Sequence, residues 1–353
     1  MSSPDVSAGA AEALRLVQAD PGSAAPLARS ALEVAYAEGD EASASVAERA
    51  TGLAAFHLDD LGTAVTHLRY AMAHGRSARS PQLVAEARMS LAYVLNLRGS
   101  PRRAVREIDA ALGDLDAVSR ARALAQRGAI HQQQGSLDLA LHDYRLALPA
   151  LRRAGDAVWV QRVLSNRGVL HAFRHEYALA TKDLDEAREV CEAHGLTLQA
   201  AFVEENLLLV TRRLGDIPAS LAHLSRAEAL YRAVGTPSGS VLVERSELLL
   251  SMRLFAEARE AAASAVAELE RAHRRLGSSE ARVLLARAAI MDGDPELAVE
   301  QASLALREFR AQGRAEWVAL ARCGLLISQS AMPGRTIGAG RLARAAADAD
   351  AHG

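Results

Sequence analysis

Residues 121–156 read ARALAQRGAIHQQQGSLDLALHDYRLALPALRRAGD, and residues 157–195 read AVWVQRVLSNRGVLHAFRHEYALATKDLDEAREVCEAHG. Laid over each other, the two halves agree in residue type. Gly128 falls on Gly168, His131 on His171, Ala140 on Ala180 and Ala147 on Ala187, each at an offset of 40 residues. A fixed period of that size marks a repeat array. Each unit of such an array is one supersecondary element that buries its apolar face only against its neighbours.

The same phase runs outward in both directions. Helix starts are predicted at Asp20, Asp60, Ser100, Ser136, Glu176, Asp216, Leu254 and Asp294, at steps of 36 to 40 residues. Asp and Ser accept hydrogen bonds from the free amides of a first turn. Pro21, Pro101, Pro218 and Pro295 follow closely, where a missing N–H costs nothing. Four residues after each start comes Ala24, Ala64, Ala104, Ala140, Ala180, Ser220, Ala258 or Ala298. Seven residues further comes an alanine every time: Ala31, Ala71, Ala111, Ala147, Ala187, Ala227, Ala265 and Ala305. Positions seven apart share a helix face, and a tight helix–helix contact explains so strict a demand for a small side chain. Leu68, Ile108, Tyr144, Leu184 and Leu224 supply the larger side chains of that face.

A second amphipathic helix is predicted upstream of each start, as at Leu83–Leu97, Ala121–Gln134, Val158–Arg174, Gln199–Leu214 and Glu280–Met291. No stretch alternates as a strand does. Gly99, Gly135, Gly215 and Gly293 fit the left-handed position that ends a helix. Links between pairs are read at Gly39-Asp40, Gly155-Asp156, Gly195-Leu196, Gly235-Thr236-Pro237, Gly277-Ser278 and Gly313-Arg314. The last unit is weaker: a helix over Trp317–Ser328, a turn over residues 331–340 and a short helix over Arg341–Asp350. An array needs a polar capping helix, so further residues are expected beyond Gly353. The expected fold is all-α: a right-handed α-solenoid of about nine antiparallel helix pairs. It is read as one array over residues 1–353, with clear repeats over about residues 12–313 and a weaker one over 314–353.

Composition narrows the function. The chain is 50% hydrophobic and 24% charged, which is a globular composition, and its net charge of −2 lacks the basic excess of a dedicated nucleic-acid surface. No partner role for nucleic acid or membrane is expected. Cys191 and Cys323 make neither a disulfide framework nor a zinc set, which fits a reducing cytoplasm. The N-terminus has no basic and apolar signal segment, and no apolar run is long enough to span a bilayer.

The small residue, the turn Gly-Ser or Gly-Asp, and the two alanines beyond it resemble the tetratricopeptide repeat (TPR). Leu124, Gly128, His131, Gly135, Ala140, Tyr144 and Ala147 stand at that motif's marked places. His131 occupies a place where the consensus prefers Tyr, and the consensus Trp is missing from every unit. The 40-residue spacing is similar to the longer TPR class of bacterial regulators and peptide-binding scaffolds. The overall style resembles the N-terminal repeats of a bacterial TPR–CHAT protein, whose caspase-like peptidase domain follows the array. The resemblance implies a non-catalytic scaffold that recruits a protein or extended peptide. The alternative it leaves open is a ligand- or peptide-sensing module of a transcriptional regulator.

Catalytic and metal chemistry find little footing. No GxxxxGK[ST] or strand-borne GxGxxG is present, no Ser-His-Asp arrangement can be argued, and no cofactor is expected. His171 and His175 lie four apart with Glu176 beside them, a spacing a metal can use, yet a third ligand is missing and a surface histidine is the stronger reading. His131 and His171 occupy equivalent places and are read as packing between helices in preference to a ligand pair. Cys191 and His194 are close in sequence, but a nucleophile needs an electropositive, oxyanion-binding pocket as well, and Cys191 reads as structural. Cys323 reads as a small core residue.

The first helices carry the more useful signal, because in TPR proteins they line the concave side. Asn166 and Asn206 stand one 40-residue step apart. The resemblance implies that an asparagine there binds the backbone of an extended peptide, for which an amide that both donates and accepts is suited. A solvated polar face is the competing explanation. Tyr93, Asn96, Gln132, Gln133, Phe173, Arg212 and Arg213 complete the expected partner-binding set. For Arg212 and Arg213, a ligand carboxylate or the helix C-terminus are both open.

Overall fold

The computed structural model describes residues 4–17, 20–58, 60–235, 239–272, 274–334 and 337–350. They form eighteen α-helices and, among the described residues, no strand. Contacts divide the chain into two compact units, Met1–Glu176 and Tyr177–Gly353. The first holds α1 (Pro4–Leu16), α2 (Pro21–Glu38), α3 (Glu41–His57), α4 (Leu61–Ser77), α5 (Pro81–Leu97), α6 (Pro101–Ala111), α7 (Ala117–Gln133), α8 (Leu137–Arg153) and α9 (Ala157–Phe173). The second holds α10 (Tyr177–Ala193), α11 (Thr197–Leu214), α12 (Ile217–Val234), α13 (Gly239–Ser251), α14 (Phe255–Arg271), α15 (Arg275–Met291), α16 (Pro295–Gln312), α17 (Ala315–Ser330) and α18 (Ala339–Asp350). In each unit, packing runs between consecutive helices and between first helices of adjacent pairs, the pattern of an α-solenoid.

The alanine code is the packing code. Ala64, Ala104, Ala140, Ala258 and Ala298 are fully buried, as are Ala71, Ala111, Ala147, Ala227, Ala265 and Ala305. Tyr144, Leu68, Ile108 and Leu184 fill the space between them and are also fully buried. Enlarging one of these alanines would drive side chains off rotamer, at about 1–3 kcal/mol.

Second helices start where the spacing predicts. Asp20, Asp60, Asp216 and Asp294 accept first-turn amides at 3.0 Å. Ser100 and Ser136 make no such side-chain bond, and Leu254 has no side chain for one, so tertiary packing sets those three starts. First helices begin earlier than expected, and four of them have caps of their own. Asp40, Ser80, Asp116 and Asp156 each accept from the turn that follows. Asp116 is held down at about 2 by its hydrogen bonds from Ser119, with Val118 and Gln82 adding to them.

The expected link at Gly277-Ser278 is a correction: both residues lie inside α15. Gly277 is small for packing, since a Cβ there would stand 3.3 Å from Leu269 Cδ2. The expected link at Gly235-Thr236-Pro237 falls partly outside the described residues; Gly235 itself ends α12 in the left-handed region, at φ 68°. His175 adopts the same region at φ 60°, in the turn where other units carry glycine. α1 spans Pro4–Leu16.

Candidate functional site: the first-helix face

In residues 1–176, the first helices α3, α5, α7 and α9 bring polar and aromatic residues together across 34 to 41 residues of sequence. Arg49 of α3 pairs with Glu86 of α5 and donates Nε–H to Ser90 Oγ at 3.1 Å. Phe56 meets Tyr93 edge-on, with ring centroids 5.0 Å apart. Asn96 Nδ2 donates to Gln133 Oε1 at 2.8 Å, and Gln126 Nε2 donates to the Met89 carbonyl at 3.2 Å. Arg122 Nε donates to Asp156 Oδ2 at 2.7 Å. Each contact joins a first helix to the next segment of the stack, so the face is built by stacking alone.

Several expected site residues lie on this face, but two are already engaged from below. The buried Tyr144 of α8 donates its hydroxyl proton to Gln132 Oε1 at 2.8 Å, and its oxygen is hydrogen-bonded by Asn166. Tyr144 thereby fixes amides from two successive first helices. Its own ionisation is pushed up, chiefly by burial. Tyr93 and Phe173 remain exposed, at 41% and 50%.

Arg162 of α9 was not singled out by sequence and is the most distinctive group on the face. Its guanidinium stacks 4.6 Å over the Trp159 ring, and no carboxylate among the described residues forms an ion pair with it. Burial disfavours its charge, and only the fields of Tyr93 and Asp156 oppose that. The Trp-x-x-Arg spacing at residues 159 and 162, one turn apart on a helix, was the signal that could have found it.

The corresponding face of residues 177–353 is different in charge. Asn206 is half-buried. Beside it, Glu205 accepts from Tyr231 Oη at 3.1 Å and Ser240 Oγ at 2.7 Å, and burial raises its pKa. Arg212 pairs with Glu247 and, at 3.5 Å, with Glu244, so its charge is answered within the chain. Burial pushes the Glu244 carboxyl up to about 7 against the pull of Arg212. Arg213 is exposed.

The candidate catalytic groups are held in structural roles. Cys191 is buried, and burial pushes its thiol up to about 11, the opposite of an activated nucleophile. His194 Nδ1 bonds the Val190 carbonyl at 3.0 Å. His171 is buried and bonds Glu176 at 2.5 Å. Among the described residues, no group of three His, Cys, Asp or Glu could hold a metal. No helix among them is long and apolar enough to cross a membrane.

Neither a protein-family model nor a curated protein matches the chain. Solved structures do. A Rap protein complexed with Competence and Sporulation Factor is similar over 98% of this chain and all of its own, at 12% identity and a TM-score of 0.62. A signal-transduction ATPase with numerous domains and a tetratricopeptide repeat sensor, from Pyrococcus horikoshii, is similar over 92% of this chain at 12% identity and a TM-score of 0.61. This chain spans 52% of that ATPase. A tetratricopeptide repeat protein from Parabacteroides merdae is similar over 79% of this chain and 98% of its own, at 18% identity and a TM-score of 0.51. The class is therefore settled at the level of fold: an all-α repeat solenoid. Its helix pairs are those of a tetratricopeptide-repeat-like solenoid, as the alanine and glycine phase implied.

Proposed function

We propose that this chain is a protein-binding scaffold whose first-helix face, over α3 to α9, holds an extended segment of a partner. The observation that carries this is Arg162. A partly buried cation without a carboxylate, set between an aromatic floor and exposed Tyr93, is a place for a partner's carboxylate. Around it, the amides of Asn96, Gln133 and Asn166 are aligned by internal hydrogen bonds and keep unused donor and acceptor capacity for a peptide backbone. Binding is non-catalytic. The two free cysteines suit a reducing, cytoplasmic setting.

The finer role is to recruit a substrate or regulator to a caspase-like CHAT peptidase domain, a reading supported by sequence style. A second reading, a sensor module of a signalling or transcriptional protein, draws support from likeness to the ATPase with its repeat sensor and to the Rap protein in its complex. Both readings need the same face. Peptide display on the immobilised chain tests it, with Tyr93→Ala/Arg162→Gln as counter-selection. Enrichment of peptides bearing an acidic residue or free C-terminus, lost on the double variant, is the expected result. No enrichment, or equal retention by the variant, would reject it.

A further inference from the structure

A second site lies on the other side of the helix pairs, where two successive second helices part above a first helix. In residues 177–353 this crevice occurs twice in the same register. Between α12, α13 and α14 it encloses about 690 Å³, with Glu228, Arg232, Arg245, Glu257 and Glu260 on its walls. Its charges are mixed: Arg245 forks onto Glu228 at 2.8 and 2.7 Å, and Glu257, Glu260 and Arg232 also line it.

Two pairs further on, α16, α17 and α18 enclose the equivalent crevice, about 450 Å³, with an adjoining hollow of about 440 Å³. Arg310 stands where Arg232 stood, each sixteen residues after its helix's start signal, Asp294 or Asp216. Arg341 and Arg344 stand where Glu257 and Glu260 stood, third and sixth after the residue preceding the helix. Arg322 joins them from α17 and lines both hollows. The two acidic positions have become basic, so four exposed arginines line this hollow, with Asp348 as the carboxylate on the lining. None of the four arginines forms an ion pair within the described residues.

We propose that this crevice binds a small molecule carrying two or more phosphate groups. Four like charges around one open hollow form a positive patch that attracts anions, and one phosphate would not balance the excess over Asp348. Guanidinium forks match phosphate oxygens in pairs. The volume lies within the range of small-ligand sites, about 300–1,000 Å³. The apolar walls, Leu306, Leu325 and Leu326, offer contact for the non-phosphate part.

Titration calorimetry at fixed ionic strength tests it, with tripolyphosphate as the probe and orthophosphate and citrate for comparison. The chain is expected to bind one tripolyphosphate, and more tightly than either comparison anion. Arg341→Gln/Arg344→Gln should weaken it roughly a hundredfold, from two lost charge-assisted contacts. Arg29→Gln/Arg69→Gln, which removes the same charge from exposed positions elsewhere, should leave it unchanged. Circular dichroism confirms that both variants keep their helices. Absence of binding overturns the proposal. So does citrate binding as tightly as tripolyphosphate, or an equal loss in the control pair.

Discussion

Replacing Gly128 and Gly324 by alanine should have opposite effects, although both are helix-interior glycines. Alanine gains about 1 kcal/mol of helix propensity over glycine at either place. At Gly324 in α17, a new Cβ meets nothing within 4 Å, so that gain stands, and Gly324→Ala should stabilise its region by about 1 kcal/mol. At Gly128 in α7, a Cβ would lie 2.7 Å from Tyr144 Cε1, 2.9 Å from Cδ1 and 3.2 Å from the Ala140 carbonyl oxygen. Tyr144 is fully buried and its hydroxyl is tied to Gln132 and Asn166, so the ring cannot swing aside. Overpacking of this kind costs about 1–3 kcal/mol, which exceeds the propensity gain and leaves Gly128→Ala destabilised by about 1 kcal/mol. A repeat array need not unfold in one step, so the readout is native-state hydrogen exchange of the α7–α8 amides beside those of α17. The same register in the preceding pair carries Ala92 against Ile108, both fully buried. Adding Tyr144→Ile should therefore couple favourably with Gly128→Ala in a double-mutant cycle. If Gly128→Ala raises protection as Gly324→Ala does, or the cycle is additive, the close approach of Tyr144 is not what demands glycine.

Two further predictions concern charge. Glu244 keeps a proton up to about pH 7 in the folded chain, whereas in the unfolded chain it titrates near the ordinary carboxylate value. The folded state thus binds the extra proton between those points, and this group's contribution to stability is full at the acid end and lost as pH rises towards 7. Glu244→Gln should match the parent in urea unfolding near about pH 5 and exceed it near about pH 8, with Glu247 still answering Arg212; a gain at the lower pH alone would contradict the assignment. Arg127 forks onto the buried Asp143, at 2.8 and 2.6 Å, and reaches Asp109 at 2.5 Å. Arg127→Met should cost about 3–5 kcal/mol by stranding a buried carboxylate, and Arg127→Met/Asp143→Leu should recover most of it, both read from denaturant midpoints.

The fold was legible because its constraint is local and repeats. An alanine at each nested position, and an aspartate before four of the second helices, can be read without knowing any partner. Boundaries were less legible where the cap belonged to the other helix of the pair. Asp116 and Asp156 start α7 and α9, yet neither carries the alanine signature that marked the second helices. Gly277 misled for a related reason. A glycine at a turn and a glycine beneath Leu269 look alike in sequence, and only the packing separates them.

The candidate site was legible in place but not in role, and the reason is spacing. A polar residue on a first helix finds its partner one repeat away, as Asn96 finds Gln133 and Arg212 finds Glu247, or on the neighbouring second helix, as Gln132 finds Tyr144. Sequence shows which residues share a face, but not which have already met their charge or hydrogen-bond need. That distinction decides function. Arg212 looked suited to a ligand carboxylate and is answered by two glutamates, whereas Arg162, hidden in an apolar-looking run, stacks on Trp159 and forms no ion pair among the described residues. The same reasoning separates the two crevices of residues 177–353. Their register is shared, so the repeat alone would make them equivalent; the exchange of Glu257 and Glu260 for Arg341 and Arg344 turns a balanced surface into an anion site. In a repeat fold, packing positions must stay alike for the pairs to nest, so a break in charge at matched positions is where an individual function is to be sought.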